Sequence, residues 1–207
     1  MYTPPAFVVE DKAEIYEMIR QCHLANFITA TPSGPMSTPV PMVLEENEGT
    51  LGVLYAHLAR PNPQWDCAVI GEGLAVFMGP DAYVTPSWYP SKAEHAKVVP
   101  TWNYTAVQVS GPVEFFHEAD RLFEVVSRLT RRHEADRTSP WAVTDAPENF
   151  ISAQLRGIVG IRMPITKIAG KRKMSQNRSQ ADRQGVRTGL TERQRMHDPA
   201  VAEMVPD

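Results

Sequence analysis

Seven short apolar runs separated by turn residues set the limits on what this 207-residue chain can fold into. They fall at residues 26–31, 36–44, 51–57, 74–78, 82–85, 106–116 and 157–165. Pro32-Ser33-Gly34-Pro35, a polar turn at 45–50 with Gly49, a Gly79-Pro80 kink and a Gly111-Pro112 bend punctuate them. Short runs bounded by Gly and Pro read as strands, and their succession reads as hairpins. A doubly wound parallel sheet needs a helix between consecutive strands, and here most strands follow one another directly. The pattern therefore predicts six or seven strands in an antiparallel barrel, mainly β with peripheral helices.

The helices are placed by periodicity and caps. Over 11–22, Asp11 and Glu14 have capping-box spacing, and Ile15, Met18, Ile19 and Cys22 form an apolar stripe. Asn62 as N-cap and Pro63 at the first helical position predict a helix carrying Trp65 to Ile70. Over 118–135, Leu122, Val125, Val126 and Leu129 share a face, with Arg128, Arg131, Arg132 and His133 in the last turns. A fourth helix, 145–155, opens on Asp145 with Glu148. Beyond Gly170 the chain turns basic and polar, with a short helix from Ser179 and a frayed last dozen residues. The expected organisation is a barrel domain over 1–170 and a basic extension over 171–207.

Composition excludes some classes. The 43% hydrophobic and 22% charged content suit a soluble protein with a real core. No apolar run approaches the ~20 residues that span a bilayer, so no membrane partner is expected. The start MYTPPAFVVEDK lacks the basic and apolar regions of a signal peptide. Cys22 and Cys67 have no metal-motif spacing and read as buried thiols, which points to the cytoplasm. A net charge of −3 gives no global pull toward nucleic acid. Eight basic residues between Lys171 and Arg195, opposed by Asp182 and Glu192, still offer a local excess for a phosphate, an acidic partner or DNA, or simply for solvation.

Phosphate-loop, dinucleotide-loop, nucleophile-elbow and zinc-helix signatures are all absent, and the six histidines are scattered with no helical pair spacing. Three segments nevertheless carry chemistry. Residues 83–104, YVTPSWYPSKAEHAKVVPTWNY, hold two Trp, three Tyr, three Pro and two Lys in 22 residues. Trp88, Tyr89, Trp102 and Tyr104, interleaved with Ser87, Lys92, Thr101 and Asn103, suit a pocket rim for a flat charged ligand, a subunit interface, or a core cluster. His57-Leu58-Ala59-Arg60-Pro61-Asn62-Pro63-Gln64-Trp65 brings a guanidinium to a helix start, which suits an oxyanion and equally an ordinary capped turn. Lys173, Ser175, Gln176 and Asn177 are donors for phosphate or for a heterocycle's carbonyls, or part of a tail folding on a neighbour.

Together these segments resemble the PaiB family of FMN-binding negative transcriptional regulators, within the flavin-reductase-like or pyridoxamine-phosphate-oxidase-like split barrels. The matching stretches are MYTPPAF, HLARPNPQW, GPDAYVTPSWYPSKAEHAKVVPTWNY, LTRRHEA, SPWAVTDAPENFI and IVGIRMPITKIAGKRKMSQNRSQADRQGV, which together run from residue 1 to about 190. The resemblance implies an FMN-binding split β-barrel, homodimeric, with flavin in clefts at the dimer interface and the C-terminal stretch packed on the barrel or on the partner. The implied cofactor-binding set is His57, Arg60, Asn62, Trp65, Ser87, Trp88, Tyr89, Lys92, Thr101, Trp102, Asn103, Lys173, Ser175, Gln176 and Asn177, with no metal. The chain departs from the family at Arg172, where an aromatic is common, and at Asp81, where His is frequent. Haem-binding relatives in the wider group make His57 and His95 alternative ligands.

Three functions follow as expectations: a flavin-binding dimer with a regulatory role, a flavin-dependent oxidoreductase acting on a small molecule, and a DNA-binding repressor. The last lacks a helix-turn-helix pattern. The second needs no catalytic motif, because flavin carries its own redox chemistry.

Overall fold

The computed structural model describes residues 1–207. In chain order, β1 (Val8–Val9) leads to α1 (Lys12–Gln21), then β2 (Ala25–Thr31), β3 (Gly34–Val40), β4 (Val43–Glu45) and β5 (Val53–Ala59). A single 3-10 turn, Pro63–Trp65, precedes the long β6 (Gly73–Val84). The turn Pro86–Trp88 and α2 (Ser91–His95) precede β7 (Thr101–Gly111) and β8 (Glu114–Phe116). The remainder is α3 (Ala119–Glu134), α4 (Glu148–Arg156), β9 (Ile158–Pro164), β10 (Lys167–Lys173), α5 (Gln180–Arg193) and α6 (Asp198–Met204). Six strands form one sheet in the order β1-β10-β7-β6-β2-β3, and four form another in the order β4-β5-β9-β8.

The strand-rich reading holds, and its boundaries move for physical reasons. The run 36–44 is two strands, because Pro41 has no N–H for a ladder; β3 ends at Val40 and β4 starts at Val43. Pro35 and Pro39 are tolerated because β3 is an edge strand. The runs 74–78 and 82–85 belong to one strand, β6, which ends at Val84 and has no break at Gly79-Pro80. The pairing of β2 with β6 ends at Ala25↔Phe77, so Pro80 lies beyond it and leaves that ladder intact. The helix predicted over 62–70 is only the 3-10 turn, since the Ile70 N–H donates to the Ala30 carbonyl at 2.8 Å and draws the chain away.

The chain comprises two compact units: residues 1–18, 78–107 and 169–207 form a terminal unit, and residues 19–77 and 108–168 a central unit. In the central unit, β5 and β9 pair from Val53↔Pro164 to Ala59↔Ile158. Leu122, Val125 and Leu129 of α3 pack with Val43, Phe116 and Leu155. Gly160 is required there, because a Cβ at this position would lie 2.2 Å from the Phe116 ring. In the terminal unit, β10 adds to β1 through Val8↔Lys171 and Val9↔Gly170. Its core joins Ala82, Val84, Tyr89 and Met174 to Val186 and Leu190 of α5 and to Val201, Ala202 and Val205. The last dozen residues are therefore packed rather than frayed. No helix is long and apolar enough to cross a membrane.

Candidate functional site

In the central unit, β5 delivers Arg60 and the turn behind it. Arg60 Nε donates to the Arg156 carbonyl at 2.5 Å and Nη2 to the Ile158 carbonyl at 3.0 Å. The guanidinium thus ties the end of β5 to the start of β9 and keeps the rest of its fork open to an anion. Asn62 caps the turn, its Oδ1 accepting from the Gln64 N–H at 2.9 Å while its Nδ2 donates to Thr38 Oγ1 at 3.0 Å. Trp65 Nε1 donates to the Arg60 carbonyl at 2.8 Å. The centre of this network is Gln64, fully buried, whose amide reaches the Phe27 carbonyl at 3.3 Å and Thr29 Oγ1 at 3.1 Å. Thr38 completes it by donating to Gln64 Oε1 at 2.6 Å. Sequence reasoning singled out Asn62 through its proline neighbour and passed over Gln64, because nothing local marks a glutamine for burial.

His57, on the same strand, lines a cavity of about 250 Å³ together with residues of α3 and α4. Burial pushes its imidazole below the ordinary histidine range, and Nδ1 is shut off from solvent without a partner. His95 is exposed, and its Nδ1 accepts from the Lys97 N–H at 3.0 Å.

In the terminal unit, β7 and β10 bring five of the expected residues together. Asn103 is fully buried and meets Ser175, Nδ2 lying 3.0 Å from Oγ and Oδ1 3.1 Å from it. Ser175 has φ of 63°, in the left-handed region that only a few side chains adopt. Lys173 donates to Thr101 Oγ1, and to the Trp102 carbonyl at 3.0 Å. Burial lowers its ammonium pKa below the usual lysine range. Trp102 is 53% exposed and touches Tyr83 edge-to-face at 5.8 Å. Gln176 is spent locally, accepting from the Met174 N–H at 2.6 Å and donating to the Arg172 carbonyl. Asn177 is exposed.

The first aromatic phrase has another fate. The Trp88 ring lies against α5, where a Cβ on Gly189 would come within 2.2 Å of it, and the Arg193 guanidinium sits 4.8 Å from the ring. Tyr89 is in the core with its hydroxyl unpartnered, under the Arg178 guanidinium at 4.8 Å. Lys92 Nζ donates to Ser87 Oγ at 3.3 Å on the surface. Buried Asp182, read in the sequence only as a counter-charge to the basic stretch, accepts from Ser91 Oγ at 2.8 Å and anchors α2 to α5. At the two departures from the family, Arg172 pairs with Glu14 at 2.7 Å and Asp81 lies 3.6 Å from His197. Cys22 and Cys67 are half-buried and not joined in a disulfide.

Residues 1–167 match the family described as "Putative FMN-binding domain". The chain belongs to this PaiB-type FMN-binding family. FMN is the cofactor the family carries. The PaiB-type chain is 29% identical to the protease synthase and sporulation protein PAI 2 of Bacillus subtilis, across 100% of this chain and 97% of that protein. It is 33% identical to an uncharacterised protein of Emericella nidulans, covering 85% of this chain and 84% of that one. Among solved structures, the FAD and haem binding protein of Mycobacterium smegmatis superposes with a TM-score of 0.57 at 14% identity, over 80% of this chain and 73% of that chain. The fold is that of the split barrels.

Proposed function

We propose that this chain binds FMN as a homodimer in the cytoplasm and serves a regulatory role. The observation that carries the reading is the FMN-binding-domain match over residues 1–167. The Bacillus subtilis relative, whose name couples protease synthase with sporulation, supports a regulatory role. The donor set of the terminal unit fits the cofactor: an exposed indole for a flat ring, and an ammonium bonded to the backbone carbonyl of the same tryptophan.

In this reading Trp102 stacks on the flavin ring, and Lys173, held by Thr101 and the Trp102 carbonyl, meets a ring oxygen or the phosphate. Ser175 and Asn103 fix the β10 end so that Lys173 keeps its position. In the central unit, Asn62 and Gln64 are committed to the turn after β5. FMN supplies electron and hydride transfer on its own ring when bound.

Substituting Lys173→Met tests the assignment. Loss of one charge-assisted hydrogen bond weakens FMN binding roughly tenfold or more, read by quenching of flavin fluorescence. Unchanged affinity in a folded variant removes Lys173 from the site. Steady turnover of NADH or NADPH by the FMN-loaded protein would assign an oxidoreductase in place of a regulator.

A further inference from the structure

The outward face of α3 and the loop that follows it border a cavity of about 590 Å³, which lies wholly in the central unit. None of the residues implied as cofactor-binding lines it. Its volume falls within the roughly 300–1,000 Å³ of pockets that take small molecules. Glu124, Ser127, Arg128 and Arg131 line it and follow one another at steps of three, one and three residues, so the helix sets them on one face. That face lies away from Leu122, Val125 and Leu129, which α3 buries.

Trp141 lines the same cavity and is 48% exposed. Its backbone is tied down on both sides. The Trp141 N–H donates to Glu134 Oε2 at 3.1 Å, and Arg137 pairs with that oxygen at 3.0 Å. The Ala142 N–H donates to Asp145 Oδ2 at 2.9 Å, and the Asp145 N–H returns to the Ala142 carbonyl at 2.9 Å. A half-exposed indole on a fixed backbone leaves flat apolar area in water that an aromatic occupant would cover without ordering the loop afresh.

Three charged residues line the cavity, and two of them are committed. Arg128 Nη1 lies 3.3 Å from Glu45, Nη2 lies 3.4 Å from Glu124, and the guanidinium stands 5.5 Å from the Tyr55 ring. The Glu124 carboxylate is thereby offset. The Arg131 guanidinium has no hydrogen bond or ion pair within the chain. Arg131 is exposed, and its long side chain can bring a planar fork to a carboxylate whichever rotamer it holds without a guest. The one uncommitted charge at this cavity is therefore positive.

We propose that the cavity binds a small aromatic carboxylate, whose ring lies against the Trp141 indole and whose carboxylate meets the Arg131 guanidinium. This site is separate from the flavin reading and does not rest on it.

The test uses the whole ¹⁵N-labelled chain with 3-phenylpropionate and, as a neutral match, 3-phenylpropionamide. The Trp141 indole signal is identified by its loss in Trp141→Phe. The acid is expected to give saturable shifts there, and the amide to bind about fivefold more weakly, the worth of one ion pair at a partly exposed rim. Arg131→Gln, a change at an exposed position without a partner, brings the acid down to the level of the amide. Equal affinity of acid and amide for the unmodified protein overturns the proposal, as does the absence of saturable shifts at Trp141. Tighter binding of 3-phenylpropylamine than of the acid would put Glu124 in control and overturn it too. Displacement of the acid by FMN would assign the cavity to the flavin site, and Trp141 shifts on dilution without probe would assign it to a second copy of the chain; either result overturns the proposal.

Discussion

Ser175 and Asn103 show how a single strained residue is held in place. A serine in the left-handed region costs on the order of 1 kcal/mol, and the buried amide of Asn103 meets only its hydroxyl among the contacts described above. Ser175→Ala keeps the strain and strands the amide, so it is expected to cost about 1–3 kcal/mol in urea unfolding. Ser175→Gly loses the same contact but relieves the backbone and is expected to cost less. Equal losses would contradict this account. His57 gives a second residue-level expectation. Its folded pKa lies below the ordinary 6.5, so the unfolded chain takes up the proton first as pH falls. The stability from the neutral ring is fully present above pH ~6.5 and declines as the solution is acidified through that value toward the lower folded pKa. His57→Phe should flatten the loss between pH 7 and 5, and an unchanged slope in urea midpoints would contradict it. Neither behaviour was legible in the sequence. Periodicity reports which face a side chain occupies, whereas an orphaned nitrogen or a left-handed serine depends on what a distant strand brings opposite it. The Asn62 cap was legible because cap and proline are neighbours in the chain.

At the scale of elements, the C-terminal helices show what local reading misses. Residues 195–207 look polar and loose, yet α6 buries Val201 and Ala202, and Val205 follows it into the core. The clamp is a pair of charges: Arg193 grips Asp198 with two hydrogen bonds of 2.7 and 2.6 Å and also donates to the Tyr83 carbonyl at 2.8 Å. Arg193 holds the Asp198 carboxyl below the usual aspartate range. That contribution is present above the ordinary aspartate pKa and is lost as pH falls through the lower folded value. Asp198→Ala is expected to destabilise by roughly 3 kcal/mol, because Arg193 is left without its partner. A thermal midpoint unchanged from that of the parent protein would contradict the clamp. Strand β10 was missed for a related reason: Lys167-Ile168-Ala169-Gly170-Lys171-Arg172-Lys173 has no apolar run, and its place is fixed by pairing with β1. Strands with turn chemistry at both ends, such as β2 and β5, were found within two residues.

For the whole molecule, the succession of strands identified the fold class, and the long matched segments identified the family before any geometry was known. What the sequence could not divide was the aromatic segment 83–104. Its first half, Trp88 and Tyr89, belongs with α5 and α6, while its second half places Trp102 at the surface beside Lys173. The small residues that distinguish the two, Gly185 and Gly189, lie almost a hundred residues away and accommodate Trp88 by close approach. A homodimer is the assembly proposed above, on the family resemblance. Light scattering should give a mass near twice the 23.1 kDa of one chain, and a monomer at micromolar concentration would contradict that expectation. The central claim is flavin binding, and titrating the purified protein into FMN while following flavin fluorescence tests it most directly. The account predicts saturable quenching with one FMN bound per chain; flavin fluorescence that stays undiminished at tens of micromolar protein would contradict it.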